Sequence, residues 1–196
     1  MIIDISQEVL SCSVYPGDPT PQLQRHMRME DGALYNLSSF SMCAHNGTHI
    51  DAPAHFFADG KTVGELDLSA CIGDCYVTRR PGVLSGEAAE AVCAAAAAAG
   101  SPERILLAGG TVVTEEAAAV FVRRGVRLLG VDSQSVGPLD APMAVHKILL
   151  GASVILLEGL VLSHVADGRY FLCAAPLNLG IAEGAPCRVV LMTREG

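Results

Sequence analysis

Three observations predict an α/β fold in three layers: a central, mostly parallel sheet, a second antiparallel sheet and a layer of helices. The middle of the chain alternates apolar strand-like runs with helix-like runs, the signature of a parallel sheet with crossover helices. Both flanks are richer in strand-like runs, which places a more antiparallel sheet there. About half of the 196 residues are apolar, enough to cover both faces of a central sheet. The length fits one domain spanning 1–196. With no Trp and few aromatic residues, that core must be built from Ala, Val, Ile and Leu.

The elements follow in order. Ile2 to Ile5 alternates and reads as a first strand. Tyr15-Pro16-Gly17-Asp18 is turn chemistry, with Pro presetting φ and Gly supplying the unusual dihedral. Leu37 to Met42 reads as a strand leading into a His-rich segment, and Cys75 to Thr78 as another short strand. Ser85 can cap a helix from Gly86 to Ala99, stopped by Gly100. Arg104 to Ala108 is a continuous apolar run, hence a buried strand. Thr114 caps a second helix, Glu115 to Arg123, with acids in its first turn and Arg in its last, as the helix dipole favours. Val126 to Val131 is a strand ending at Asp132. Ala144 to Leu150 forms a short helix, followed by the strand Ser153 to Leu157. Arg169 to Cys173 and Cys187 to Met192 are late strands.

The net charge of −8 argues against a nucleic-acid partner, because an acidic surface repels phosphates. The N-terminus carries an acid where a secretory leader would be basic. The longest apolar stretch, Ala91 to Ala99, is too short to span a bilayer. Seven cysteines in no framework spacing suggest reduced thiols in a cytoplasmic protein. Cys71 and Cys75 have the spacing of half a zinc clip, but no second pair follows.

Three of the six histidines fall within the eleven residues His45 to His55, together with Asp51. His49 and Asp51 are two apart, so an extended segment puts both on one face. Gly47, the β-branched Thr48 and Pro53 argue against a helix. A turn through Asn46-Gly47 would instead fold His45 back beside His49 and Asp51. Two imidazoles and a carboxylate suit Zn²⁺ or Mn²⁺ and leave coordination positions for water. Water on such an ion ionises near neutral pH and becomes a nucleophile. His55 could be a further ligand or an acid–base group beside that water. Any one of these histidines could be an ordinary hydrogen-bonding residue; the run as a whole is not explained that way. His146 and Glu158, the latter at the end of a predicted strand, are candidates to complete the site, and Asp51 with Glu158 could bridge two ions. Ser133 and Ser135 could line a pocket or simply form a turn.

The segment His45-Asn46-Gly47-Thr48-His49-Ile50-Asp51-Ala52-Pro53-Ala54-His55-Phe56 resembles the signature of the cyclase family, which includes bacterial kynurenine formamidases (arylformamidases) and isatin hydrolases. Asp4-Ile5-Ser6, Tyr15-Pro16-Gly17-Asp18, Gly130 to Ser135, His146, Leu157 to Leu160 and Gly184 to Arg188 are also similar, so the resemblance covers nearly the whole chain. It implies a swivelling β/β/α fold and a homo-oligomer, a dimer or tetramer. It implies that His45, His49 and Asp51 bind one metal, that Asp51, His146 and Glu158 bind a second, and that Glu158 also touches the first. Zn²⁺ is the first expectation and Mn²⁺ the second. His55 is implied as proton donor and acceptor, and Tyr15 as a substrate contact, standing where the formamidases usually carry Trp. Thr48 stands where they tend to carry Ala. The activity implied is hydrolysis of a small amide, foremost an aryl formamide such as N-formylkynurenine. The alternatives are a cyclic amide or lactone, as in isatin hydrolases, and a metal-binding protein without turnover.

Overall fold

The computed structural model describes residues 1–193. Its main element is a nine-stranded mixed sheet. Four parallel strands form the centre: Ile72–Arg79, Arg104–Ala108, Leu128–Val131 and Ile155–Glu158. Antiparallel strands extend it on both sides. Gly168–Cys173, Val190–Met192 and Ile2–Asp4 lie beyond one edge of this centre, and His49–Asp51 and Gly184–Pro186 beyond the other. The strand-rich flanks therefore continue the central sheet. A separate antiparallel ribbon, Gln22–Met27 with Leu37–Ser41, stands apart and is exposed along both strands.

The sheet must curl. Gly184–Pro186 lies at one edge, and Val190–Met192 lies one strand in from the opposite edge. In a flat sheet those strands would be seven spacings apart, about 34 Å at ~4.8 Å each. The link between Pro186 and Val190 reaches at most about 14 Å. Curling lays the flanking strands over one face of the centre, which gives the two sheet layers. Between them Ile5, Ile50, Leu106, Leu157, Leu172 and Leu191 form one core. The opposite face packs against helices. Ile105, Leu107, Leu129 and Leu156 alternate with the first set along the same strands and meet Val92, Phe121 and Leu149.

The helices begin where their caps predict. The Ser85 hydroxyl accepts the Ala88 amide at the head of Gly86–Ala98, and Thr114 accepts the Ala117 amide at the head of Glu115–Arg123. In the Ala-rich helix, Ala89, Val92, Cys93 and Ala96 are the buried positions, an i, i+3, i+4, i+7 stripe. A further helix, Met143–Gly151, brings His146 to the sheet.

Four sequence expectations shift. The strands expected from Val126 and Ser153 begin at Leu128 and Ile155. The Val126 amide bonds back to Phe121, and the Ser153 and Val154 amides to Leu150 and Leu149, so these residues close the preceding helices. Of the run Cys187 to Met192 only Val190–Met192 is a strand; Cys187 to Val189 form the link that crosses the curl from Gly184–Pro186. Cys75 to Thr78 is the middle of a longer strand with partners on both sides. The ribbon strand Gln22–Met27 has no clear apolar alternation to announce it. Cys71 and Cys75 are buried, and burial pushes their thiols up to about 11 and about 12. They stay protonated at neutral pH in the metal-free protein, and among the described residues neither belongs to a cluster of three or more metal-binding side chains.

Candidate metal centre and catalytic cavity

The chain turns through Asn46 and Gly47 and enters the short strand His49–Asp51. His49 and Asp51 face one side and Ile50 faces the core, as their spacing predicts. That strand pairs with Ile155–Glu158 so that His49 stands opposite Glu158, which sets an imidazole beside a carboxylate. Gly159 follows with φ +69°, and a Cβ there would lie 2.2 Å from the Gly47 carbonyl oxygen. Only glycine lets the two backbones approach. The Thr48 hydroxyl reinforces the junction: it donates to the Gly159 carbonyl at 2.7 Å and accepts the Gln7 amide at 2.9 Å. Thr48 is thus buried as a tie between loops and does not line the cavity. Thr48→Val would strand the Gln7 amide. We expect a loss of about 1–3 kcal/mol, seen as a Tm several degrees lower; an unchanged Tm would refute the tie.

The functional atoms converge. The Nδ1 of His45 lies 2.7 Å from Asp51 Oδ1, and the Nε2 of His49 3.4 Å from it. The Nε2 of His146 lies 3.2 Å from Glu158 Oε1 and 3.7 Å from Asp51 Oδ2, and the Nε2 of His49 lies 3.6 Å from Glu158 Oε2. His45, His49 and Asp51 form one set of donors within 4.8 Å of one another, and Asp51, His146 and Glu158 form a second. Asp51 belongs to both. His55 stands against them, its ring 4.1 Å from that of His45. The other two histidines, His26 and His164, lie elsewhere and are exposed.

The donor set fits a cation. His49 Nδ1 lies 3.0 Å from the Gly47 carbonyl and His146 Nδ1 lies 2.8 Å from the Pro142 carbonyl. A carbonyl only accepts, so both rings carry their hydrogen on Nδ1 and turn the Nε2 lone pair toward Asp51 and Glu158. Buried acceptors facing acceptors repel unless protons or a metal ion lie between them. The His45 Nε2 is likewise buried without a hydrogen-bond partner. The titration of the metal-free site reflects the same field. Burial pulls His49 down, but the Asp51 hydrogen bond and charge and the Glu158 charge outweigh it and raise it to about 9. His45 and His146 are raised in the same way, by Asp51 and Glu158 respectively, against burial. Asp51 is held well below the usual carboxylate range, because hydrogen bonds from His45 and His49 outweigh burial. His55 differs: burial lowers it, so it is neutral and can accept a proton.

These groups line a cavity of about 280 Å³. Its wall includes Tyr15, whose hydroxyl donates to the Leu139 carbonyl at 3.2 Å. Ser135 lines it, whereas the Ser133 hydroxyl turns to the Ser135 carbonyl. Sequence reasoning did not single out Asp18, Cys43, Phe56, Gln134 and Pro142, which also line it. Two of these had a signal: Asp18 closes the Tyr15 turn, and Phe56 directly follows His55. The Phe56 ring lies 5.0 Å from that of His146.

Comparison with known proteins follows the same lines. The model of the family described as "Putative cyclase" matches residues 3–138. The chain is 33% identical to a kynurenine formamidase of Erythrobacter litoralis, over 97% of this chain and 93% of that one. It is 36% identical to a kynurenine formamidase of Bacillus anthracis, over 96% of each chain. A solved structure described as a potential metal-dependent hydrolase with cyclase activity superposes with a TM-score of 0.80 at 28% identity, covering 100% of this chain and 99% of the other. Isatin hydrolase A from Labrenzia aggregata shares the fold, with a TM-score of 0.83 at 22% identity over 100% and 94% of the two chains. With the family model spanning most of the chain and full-length relatives above 30% identity, this protein belongs to the cyclase family.

Proposed function

We propose that the protein is a metal-dependent hydrolase that cleaves a small amide, foremost an aryl formamide such as N-formylkynurenine, to formate and an aromatic amine. The observation that carries this reading is the pair of largely buried donor sets sharing Asp51, with a neutral histidine at their side that belongs to neither. His45, His49 and Asp51 would hold one divalent ion, and Asp51, His146 and Glu158 a second. Imidazole and carboxylate donors suit Zn²⁺ first and Mn²⁺ second. Such an ion supplies a Lewis acid that polarises a carbonyl and acidifies water.

The chain's own residues supply the rest. His55 takes the proton from the attacking water and returns it to the leaving nitrogen, so the amide C–N bond breaks to a carboxylic acid and a neutral amine. Tyr15 and Phe56 give the cavity apolar walls against which an aromatic ring can pack. The relatives named kynurenine formamidase support the amide substrate. A second reading, opening of a cyclic amide, uses the same residues and is favoured by the fold shared with isatin hydrolase. The deciding experiment is a hydrolysis assay of metal-reconstituted protein on N-formylkynurenine and isatin in parallel. Turnover of isatin alone selects the second reading, and tight metal binding with turnover of neither points to a binding protein or another substrate.

We further propose that the protein is a homo-oligomer in the cytoplasm. The exposed apolar side chains of the ribbon, among them Leu23, Leu37 and Phe40, support association, since an isolated two-stranded ribbon is marginal on its own. Light scattering that gave the mass of a lone chain would overturn this. All seven cysteines are free, which suits a reducing compartment. No helix among the described residues is long and apolar enough to cross a membrane.

Proton competition makes metal binding pH-dependent. In the metal-free protein His49 is raised from 6.5 to about 9. Its contribution to stability is complete below pH 6.5 and is lost as pH rises through about 9. A metal ion needs the lone pair that this proton occupies, so metal affinity rises over the same interval. The gain in Tm on adding Zn²⁺ should therefore grow from pH 6.5 to 9. A gain that is flat across this range in thermal denaturation would exclude His49 as a ligand.

A further inference from the structure

We infer that Ser135 is the hydrogen-bond donor to the carbonyl oxygen of the bound amide. Its hydroxyl is buried and has no partner, although Ser135 lines the cavity and is only 4% exposed. Buried hydroxyls rarely go unpaired, and one that does in a cavity wall points to a ligand. The segment holding it is tied on both sides: the Ser133 hydroxyl donates to the Ser135 carbonyl at 2.7 Å, and the Val136 amide donates to Glu158 Oε1 at 2.8 Å. Ser135 is thereby held one residue from the contact that fixes a carboxylate of the metal centre.

Most other side-chain donors of the cavity wall already have partners. The Tyr15 hydroxyl and the Gln134 amide donate to the carbonyls of Leu139 and Ser13. The Nδ1 groups of His49 and His146 donate to backbone carbonyls, and His45 Nδ1 is paired with Asp51. The Cys43 thiol donates to Asp18 at 3.6 Å. Among the described residues, Ser135 thus carries the cavity-lining hydroxyl that has no partner, while His55 is the group that moves protons. A fixed neutral donor is the group required where a carbonyl oxygen gains negative charge during attack, because it needs no reorganisation there.

This rests on the amide-hydrolase reading, and the test separates the two. Ser135→Ala and the hydroxyl-retaining Ser135→Thr would be compared with wild type in four measurements: Tm, Zn²⁺ affinity, kcat and KM on N-formylkynurenine, and the affinity of the zinc-loaded protein for benzohydroxamic acid by calorimetry. The Ala protein should keep its Tm and zinc affinity, since the lost hydroxyl had no protein partner. Its kcat should fall about 100-fold with little change in KM, and its hydroxamate affinity should drop about tenfold, with Thr closer to wild type. Equal hydroxamate affinity in wild type and the Ala protein overturns the assignment even if no amide is turned over. A lower Tm or weaker zinc binding would mark Ser135 as structural and overturn it as well.

Discussion

Asp51→Asn should bind divalent metal far more weakly and hydrolyse an aryl formamide slower by on the order of 10³-fold or more. The magnitude follows from the several kcal/mol that a metal ion contributes to charge stabilisation, at about 1.4 kcal/mol per tenfold in rate. Asp51 is the sensitive position because both donor sets include it. Its Oδ1 faces His45 and His49, and its Oδ2 faces His146. An amide keeps the shape but removes the charge, and its NH₂ would oppose the imidazole nitrogens with a positive edge. Metal analysis and the assay on reconstituted protein read the two losses separately. If Asp51→Asn retained full metal content, the shared-ligand arrangement would be wrong. The same substitution removes the counter-charge that raises His45 and His49. The metal-free variant should therefore also lose the stability that wild type has below pH 6.5.

His55→Ala should lose activity without losing metal. General acid–base groups contribute about 10²–10⁴-fold, and the kcat of the variant should fall within that range. The reason lies in how His55 differs from its neighbours. His45, His49 and His146 are each directed at a carboxylate and raised by it, whereas His55 is lowered by burial and belongs to neither donor set. It also begins no strand or helix whose loss would disturb the site: it ends a single 3-10 turn, Pro53–His55. Metal content, Tm and kcat should thus separate, with only kcat changed strongly. Full activity would end the proton-transfer role, and loss of metal would make His55 a ligand.

Much of this centre could be read locally. The spacing of His49 and Asp51 implies one face of an extended segment. Gly47, Thr48 and Pro53 exclude a helix, and the structure has a turn followed by a strand. The caps Ser85 and Thr114 mark helix starts because a cap is a contact between near neighbours. Strand starts after helices are less legible, at Leu128 and Ile155, because the apolar run also covers residues that close the helix before it. The ribbon strand Gln22–Met27 is hard to read for a related reason. Neither face of it is buried in this chain, so no alternation is imposed on its sequence.

By itself, the sequence determined the helix caps, the central alternation of strand and helix, the conformation of His45 to Asp51, and the acidic balance of the chain. Each depends on residues close together, where spacing translates into direction. Only the tertiary structure decided that the strand-rich flanks belong to the central sheet, that its curl encloses a second core, and that His146 and Glu158 meet Asp51 from a helix and a neighbouring strand. It also showed that Thr48 ties loops and that Ser135 is left unpaired beside the metal centre. Those outcomes depend on strand order and register between segments far apart in the chain, and on which hydrogen-bonding groups remain unsatisfied once every other partner is in place.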